Sequence, residues 1–196
     1  QKIHMKRIII AMAVIAATVM TASAQPGSIG VRLGATGVDA TYRHNTFEDQ
    51  FIEGNLGLDF GYNVNGRIGF KAAAVYNFVW ARPAWTSRGS WALYAGPGLC
   101  IGGVNDQAVH KIGKERIGYV DGGFMFAAAA QVGVAYRFTF PLMISLDIRP
   151  YFGFHINDGS YRSTVTGETV RYGSKAGFYD NGMTGFIPSI SVSYCF

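Results

Sequence analysis

The sequence predicts an all-β chain, an eight-stranded antiparallel up-and-down transmembrane β-barrel, and three observations carry that expectation. Apolar and polar residues alternate with period two along most of the chain, which places each class on one face of a strand. Only 15% of the 196 residues are charged while 49% are hydrophobic, against about 25% charge in an average soluble domain. Gly, with 26 copies, punctuates the alternation. Disorder is excluded, because it requires low hydrophobicity and high charge. Two Cys exclude a disulfide scaffold, and the length suits one domain.

The first segment reads as a secretory signal peptide over residues 1–24, with Met5 as a candidate start. Met5-Lys6-Arg7 is basic, Ile8 to Met20 is apolar, and Ala22-Ser23-Ala24 supplies small residues for cleavage. The apolar run is too short for a membrane anchor helix. The remaining domain, 25–196, loses Lys2, Lys6 and Arg7 and no acid, so the net charge falls from +5 to +2. A nucleic-acid partner thereby loses its support.

Each strand is justified by its own alternation. Ile29, Val31 and Leu33 oppose Gly30 and Arg32, then Val38, Ala40 and Tyr42 oppose Asp39, Thr41 and Arg43. Gly34 to Gly37 divides this stretch into two strands, with one long bent strand as the competing reading. Leu56, Leu58, Phe60 and Tyr62 oppose Asn55, Gly57, Asp59 and Gly61, and Asn63-Val64-Asn65-Gly66 makes a turn. Ile68, Phe70, Ala72, Ala74, Tyr76, Phe78 and Trp80 oppose Lys71, Ala73 and Asn77. Trp91, Leu93, Ala95, Pro97, Leu99 and Ile101 oppose Tyr94, Gly96, Gly98 and Cys100. The even positions from Phe124 to Phe138 oppose Gln131, Gly133 and Arg137. Leu142, Ile144, Leu146 and Ile148 oppose Met143, Ser145, Asp147 and Arg149. Phe186, Pro188, Ile190, Val192, Tyr194 and Phe196 oppose Ile187, Ser189, Ser191, Ser193 and Cys195. Eight spanning strands of about 9–11 residues fit the length, whereas sixteen would leave almost nothing for loops.

Alternation is compatible with either face inside. The polar face is mostly Gly, Ser, Ala and Asn, sized for a narrow lumen. Aromatics collect at strand ends, as membrane-interface girdles do: Trp80, Trp91, Tyr136, Phe138, Tyr194 and Phe196 at one end, Phe124 and Phe126 at the other. Residues 105–121 and 156–182 read as long polar loops and 139–141 as a short turn. A secreted lipocalin-like small-molecule binder, apolar face inward, is the alternative.

The leader, the eight segments and the terminal Tyr194-x-Phe196 resemble the small outer-membrane β-barrels of Gram-negative bacteria, the OmpA/OmpX-type porin-like family. The likeness covers residues 28–196 and includes Tyr94-Ala-Gly-Pro-Gly98, Gly133-Val-Ala-Tyr-Arg-Phe138, Pro141 and Ser145-Leu-Asp-Ile-Arg-Pro150. It implies an outer-membrane location and insertion by the outer-membrane assembly machinery, which reads the last strand. Ser191 departs from the Gly that the family often carries there.

Nine charges are expected to face the lumen: Arg32, Asp39, Arg43, Glu53, Asp59, Lys71, Arg137, Asp147 and Arg149. Single buried charges are costly, so they should form pairs and networks that close the interior. A narrow porin-like channel, gated by rearrangement of those pairs, is the alternative. Catalytic signals are thin. His155 lies near Asp158 and Ser160, but three residues crowded at a loop start seldom converge as nucleophile, base and orienter. No enzyme, cofactor or metal is expected, with a lipid-modifying outer-membrane hydrolase as the residual alternative. Gly96-Pro97-Gly98 does not match a nucleotide-binding glycine motif, and Cys100 and Cys195 should remain free thiols. Specificity is placed in the loops, through Lys111, Lys114, Arg116, Tyr161, Arg162, Arg171 and Lys175. These are expected to contact lipopolysaccharide phosphates or an extracellular protein or glycan.

Overall fold

The computed structural model describes residues 27–60, 68–112, 115–163, 168–171, 176–180 and 182–196. For residues 105–112, 115–122, 157–163, 169–171, 180, 182 and 184 it describes the backbone alone. The residues expected to form a signal peptide and the expected Asn63-Gly66 turn lie outside the described residues.

Eleven strands form one antiparallel sheet: β1 (Gly27–Leu33), β2 (Gly37–Phe47), β3 (Gln50–Asp59), β4 (Gly69–Ala81), β5 (Ser90–Ile112), β6 (Glu115–Arg137), β7 (Leu142–Ile148), β8 (Tyr151–Ser163), β9 (Thr169–Arg171), β10 (Ala176–Asp180) and β11 (Ser189–Cys195). From β1 to β7 each strand pairs with the next, β7 pairs with β11, and β11 returns to β1. The ring is therefore closed with eight staves, as the alternation predicts. Closure leaves no sheet edge in the ring. Gly27 and Phe196 close the seam by exchanging backbone hydrogen bonds at 3.1 and 3.0 Å.

Residues 27–47 are two strands, not one bent one. Arg32 stands opposite Asp39, and Gly34 N–H donates to the Gly37 carbonyl at 2.9 Å to close the turn. Four expectations are corrected. Residues 105–112 and 115–121 are not loop: they are the upper part of the β5–β6 hairpin, paired from Ser90 with Arg137 to Ile112 with Glu115. Polar side chains on both faces hide such a ribbon from periodicity, yet its ladder satisfies the backbone. Residues 156–182 likewise carry the end of β8, then β9 and β10. The last strand starts at Ser189, because Gly182–Phe186 is a 3₁₀ turn and Pro188 has no N–H for the ladder. Connection lengths do not alternate strictly: the 82–89 connection shares an end with 139–141, while the short 34–36 turn lies at the other end.

The strands of one stave need not be continuous. β7 and β8 both pair with β6, along Val132–Arg137 and Tyr119–Ala129, so they form one stave broken at Arg149-Pro150. Likewise β11 pairs with β7 and β10 with β8. Above Gly103, the last position of β5 paired with β4, the β5–β6 hairpin and the end of β8 with β9 rise beyond the ring, while β10 stays level with Leu99–Gly103.

The faces fall as the alternation predicts. Leu56, Phe70, Leu99, Phe126, Val132, Leu146, Ile190 and Val192 are all exposed on the outside. Arg32, Asp39, Glu53, Asn77, Gln131, Asp147 and Arg149 are buried within. At the short-connection end the outer aromatics touch in a row, Trp85 to Trp91, Trp91 to Tyr136, Tyr136 to Phe138 and Phe138 to Phe140, with ring centroids 4.7–5.2 Å apart. Trp80, Tyr194 and Phe196 are exposed at that same end, and Phe124 and Phe126 at the other.

Candidate functional site

The interior is stacked in three layers. The uppermost is apolar, built from Val75, Cys100, Val104, Met125, Tyr151 and Tyr179. The lowest, near the short connections, holds Phe51, Tyr94, Ala135, Met143 and Cys195. Between them lies a layer of charges.

Six of those charges form one alternating chain. Asp39 accepts from Arg32 Nη1 at 3.0 Å, and Arg32 Nη2 reaches Asp147 Oδ1 at 2.8 Å. Arg149 Nη2 lies 4.0 Å from Asp147 and donates to Glu53 Oε1 at 2.6 Å. Glu53 Oε2 in turn accepts from Arg43 Nη2 at 2.9 Å. A separate pair, Lys71 with Asp59 at 3.2 Å, sits beside it, and Lys71 also donates to Thr36 Oγ1 at 3.0 Å. Four bases thus meet four acids, which lets charges stay in a place where an unmatched one would be expensive.

Glu53 is the hub. Besides its two arginines it accepts from Asn55 Nδ2 at 3.3 Å and Gln131 Nε2 at 3.4 Å, and Gln131 Oε1 accepts from Asn77 at 3.1 Å. Around the ring β3 and β7 are diametrically opposed. The bond from Arg149, at the end of β7, to Glu53 on β3 therefore crosses the full width of the lumen. Below it Arg43 lies over the Phe51 ring at 4.1 Å and the Tyr94 ring at 5.1 Å, a cation–π arrangement that adds a plug beneath the ions.

Glycines on the inner face make room for these groups. A Cβ at Gly57 would lie 1.8 Å from Asp39 Oδ1, and one at Gly133 would lie 2.5 Å from the Tyr94 hydroxyl. Gly57→Val should push Asp39 off Arg32 and cost about 1–3 kcal/mol, the usual penalty for overpacking. The urea midpoint of the folded protein reads this out, and an unchanged midpoint would show that the site can absorb a side chain.

The structure brings together eight of the nine expected lumen charges. Arg137 is the exception: it has the inward parity but sits on the exposed rim and makes no ion pair among the described residues. Its register position explains this. Arg137 pairs with Met143 and Gly133 with Asp147, so four residues of β6 separate it from the charge layer. Sequence reasoning missed Phe51, Tyr94 and Met143 as the plug, because large apolar residues on an otherwise polar face break the alternation.

Beneath the plug opens a vestibule of about 540 Å³, facing the short connections. Its closed end is formed by Arg43, Phe51 and Met143, and Arg137 stands at its rim. His155 faces the interior of the upper layer, with its ring 6.0 Å from that of Tyr179. The side chains of Asp158 and Ser160 lie outside the described residues, as do those of Lys111, Lys114, Arg116, Tyr161, Arg162, Arg171 and Lys175. Cys100 and Cys195 are buried free thiols. Among the described residues no group of His, Cys, Asp and Glu is placed to hold a metal.

Comparison of the chain with protein-family models, with curated proteins and with solved structures returned no match.

Proposed function

We propose that this chain is an integral outer-membrane protein of a Gram-negative bacterium, of the small OmpA/OmpX type. Its barrel is an anchor with a closed lumen, and its surface-exposed hairpins make the contacts. One observation carries the reading: the barrel is inverted relative to a water-soluble one, with eight paired charges inside and large apolar side chains outside. Water outside such a wall would face a continuous apolar surface, far larger than a soluble monomer normally exposes.

The dimensions support it. Trp91 pairs with Tyr136 in the lower aromatic row, and ten positions on Ile101 pairs with Phe126 in the upper one. Ten residues span about 33 Å along a strand, which is about 23–27 Å of height at the tilt of about 35–45° usual in membrane barrels. An apolar band about 25 Å tall between aromatic girdles matches that interval. No helix among the described residues is long and apolar enough to cross a membrane, so the strands carry the membrane assignment alone.

In this orientation the short connections and both chain ends of the ring face the periplasm. The β5–β6 extension and the end of β8 with β9 then project outward, and Lys111, Lys114, Arg116, Tyr161, Arg162, Arg171 and Lys175 are the residues proposed to meet lipopolysaccharide or an extracellular protein or glycan. Insertion would use the outer-membrane assembly machinery through β11. The protein has no enzymatic role in this reading and needs no cofactor.

Three measurements test it. The protein should require detergent for extraction and should run faster on gels unheated than boiled. Solubility in plain buffer would end the membrane assignment. In planar bilayers the cross-lumen Arg149–Glu53 bond and the Arg43 plug should prevent steady conductance, whereas a stable open level on the order of a nanosiemens would show that the lumen is a pore.

A further inference from the structure

We propose that the vestibule at the short-connection mouth binds a small organic oxyanion, a carboxylate or phosphate monoester bearing a short apolar group. The cavity, about 540 Å³, is in the range of about 300–1,000 Å³ usual for small-molecule sites. Its character is set by two buried polar groups with hydrogen-bonding capacity left over. Arg43 spends Nη2 on Glu53 and Nη1 on the thioether sulfur of Met143, a weak acceptor 3.3 Å away, while its Nε has no partner. Ser28 Oγ is likewise without a partner. Both residues are more than nine-tenths buried, and both line the vestibule.

The two stand directly opposite each other on β1 and β2, so their Cβ atoms are about 4.5–5.5 Å apart. Both unpartnered atoms are shielded from solvent, so one oxyanion accepts from both once the Ser28 hydroxyl and the guanidinium turn toward the vestibule. A buried cation with an unmade hydrogen bond is costly, and an anion arriving from the vestibule completes it. Arg137 supplies the charge to balance that anion. It is the base left over when the lumen matches four bases to four acids, and it stands on the vestibule rim. Arg82, also on the wall, is already held by Asp49 at 3.0 Å. Glu48 is the one acid in the lining. Phe51, Val79, Ala135 and Met143 provide apolar wall for the rest of the ligand. The site depends on the interior alone, so it stands or falls independently of what solvent covers the outer wall.

The test uses the full folded protein in phospholipid nanodiscs, titrated with para-fluorophenyl phosphate and, separately, para-fluorobenzoate, followed by fluorine NMR. At least one probe should bind saturably, and the tighter of the two assigns the headgroup. Each charge-assisted hydrogen bond lost should weaken binding about tenfold or more, so Arg137→Ala combined with Ser28→Ala should reduce affinity by at least that factor. Ala92→Trp, which fills the cavity from β5, should abolish binding. All variants are first checked for heat-modifiable gel mobility, so that loss of binding is not loss of fold. The proposal is overturned if neither probe saturates below about 10 mM, an affinity too weak for a built site. Equal binding by Ala92→Trp or by the double variant would overturn it as well.

Discussion

Glu53→Leu should be the most damaging single substitution in the lumen. Glu53 accepts from Arg43 at 2.9 Å and from Arg149 at 2.6 Å, and all three residues are buried. Removing one member of a buried pair costs about 3–5 kcal/mol, because the charge left behind has neither water nor partner. Here two guanidiniums lose their carboxylate at once, so the loss should lie at the top of that range. Arg149 keeps Asp147 at 4.0 Å, while Arg43 is left with a thioether and two aromatic rings. Arg43→Met added to Glu53→Leu should therefore recover part of the stability, since it restores equal numbers of bases and acids. The measurement is urea unfolding of the refolded protein in vesicles, arranged as a double-mutant cycle. A cost under about 1 kcal/mol for Glu53→Leu would mean that water reaches the charge layer and screens it, against a closed lumen.

Val132→Arg should be the most damaging change on the outer wall, and it separates the membrane reading from a soluble one. Val132 is 49% exposed and pairs with Ala95, midway between the two aromatic rows. An Arg at the midplane of a membrane barrel costs about 2–4 kcal/mol, falling to about 0–1 near the interfaces. Phe140→Arg, within the lower aromatic row, is the matched control and should cost much less. If water covered this wall, both changes would fall within about 0.5 kcal/mol, as exposed substitutions usually do. The same vesicle unfolding assay compares them, and equal small effects would refute the bilayer reading.

Legibility in the sequence depended on what each residue faces. The outer positions of β11, Ile190, Val192 and Tyr194, alternate cleanly with Ser189, Ser191 and Ser193 because the wall is apolar outside and polar within. The alternation of β3 is legible from Asn55 onward. Its lower half turns Phe51 inward, and β2 has a register shift between Asn45 and Phe47 beside it, so parity blurs. β8 was missed because Tyr151, Gly153 and His155 form its inner face, a mixture with no polar period, just after a proline. The β5–β6 extension has no apolar period to mark it, because Asn105, Asp106 and Gln107 are polar in succession and Lys111, Lys114, Glu115 and Arg116 crowd its tip, so only the backbone register reveals it.

The candidate site divided along the same line. That Arg32, Asp39, Arg43, Glu53, Asp147 and Arg149 share one face was readable, since their parity matches their strand neighbours. Which of them meet was not. Asp147 and Arg149 sit two apart on one face, yet Asp147 takes Arg32 from β1 and Arg149 takes Glu53 from β3. The orphaned atoms of Ser28 and Arg43 have no signature in a pattern of residue types.

By itself, then, the sequence determined the side of the wall on which each side chain lies. Strand alternation has a period of two whatever the strand pairs with, so parity survives without any knowledge of partners. Only the closed ring decided the height of each residue in the lumen and the residue facing it across the bore. Those follow from register and stagger between strands far apart in the chain. They lifted Glu53 into a hub between two arginines and left Arg137 alone at the mouth.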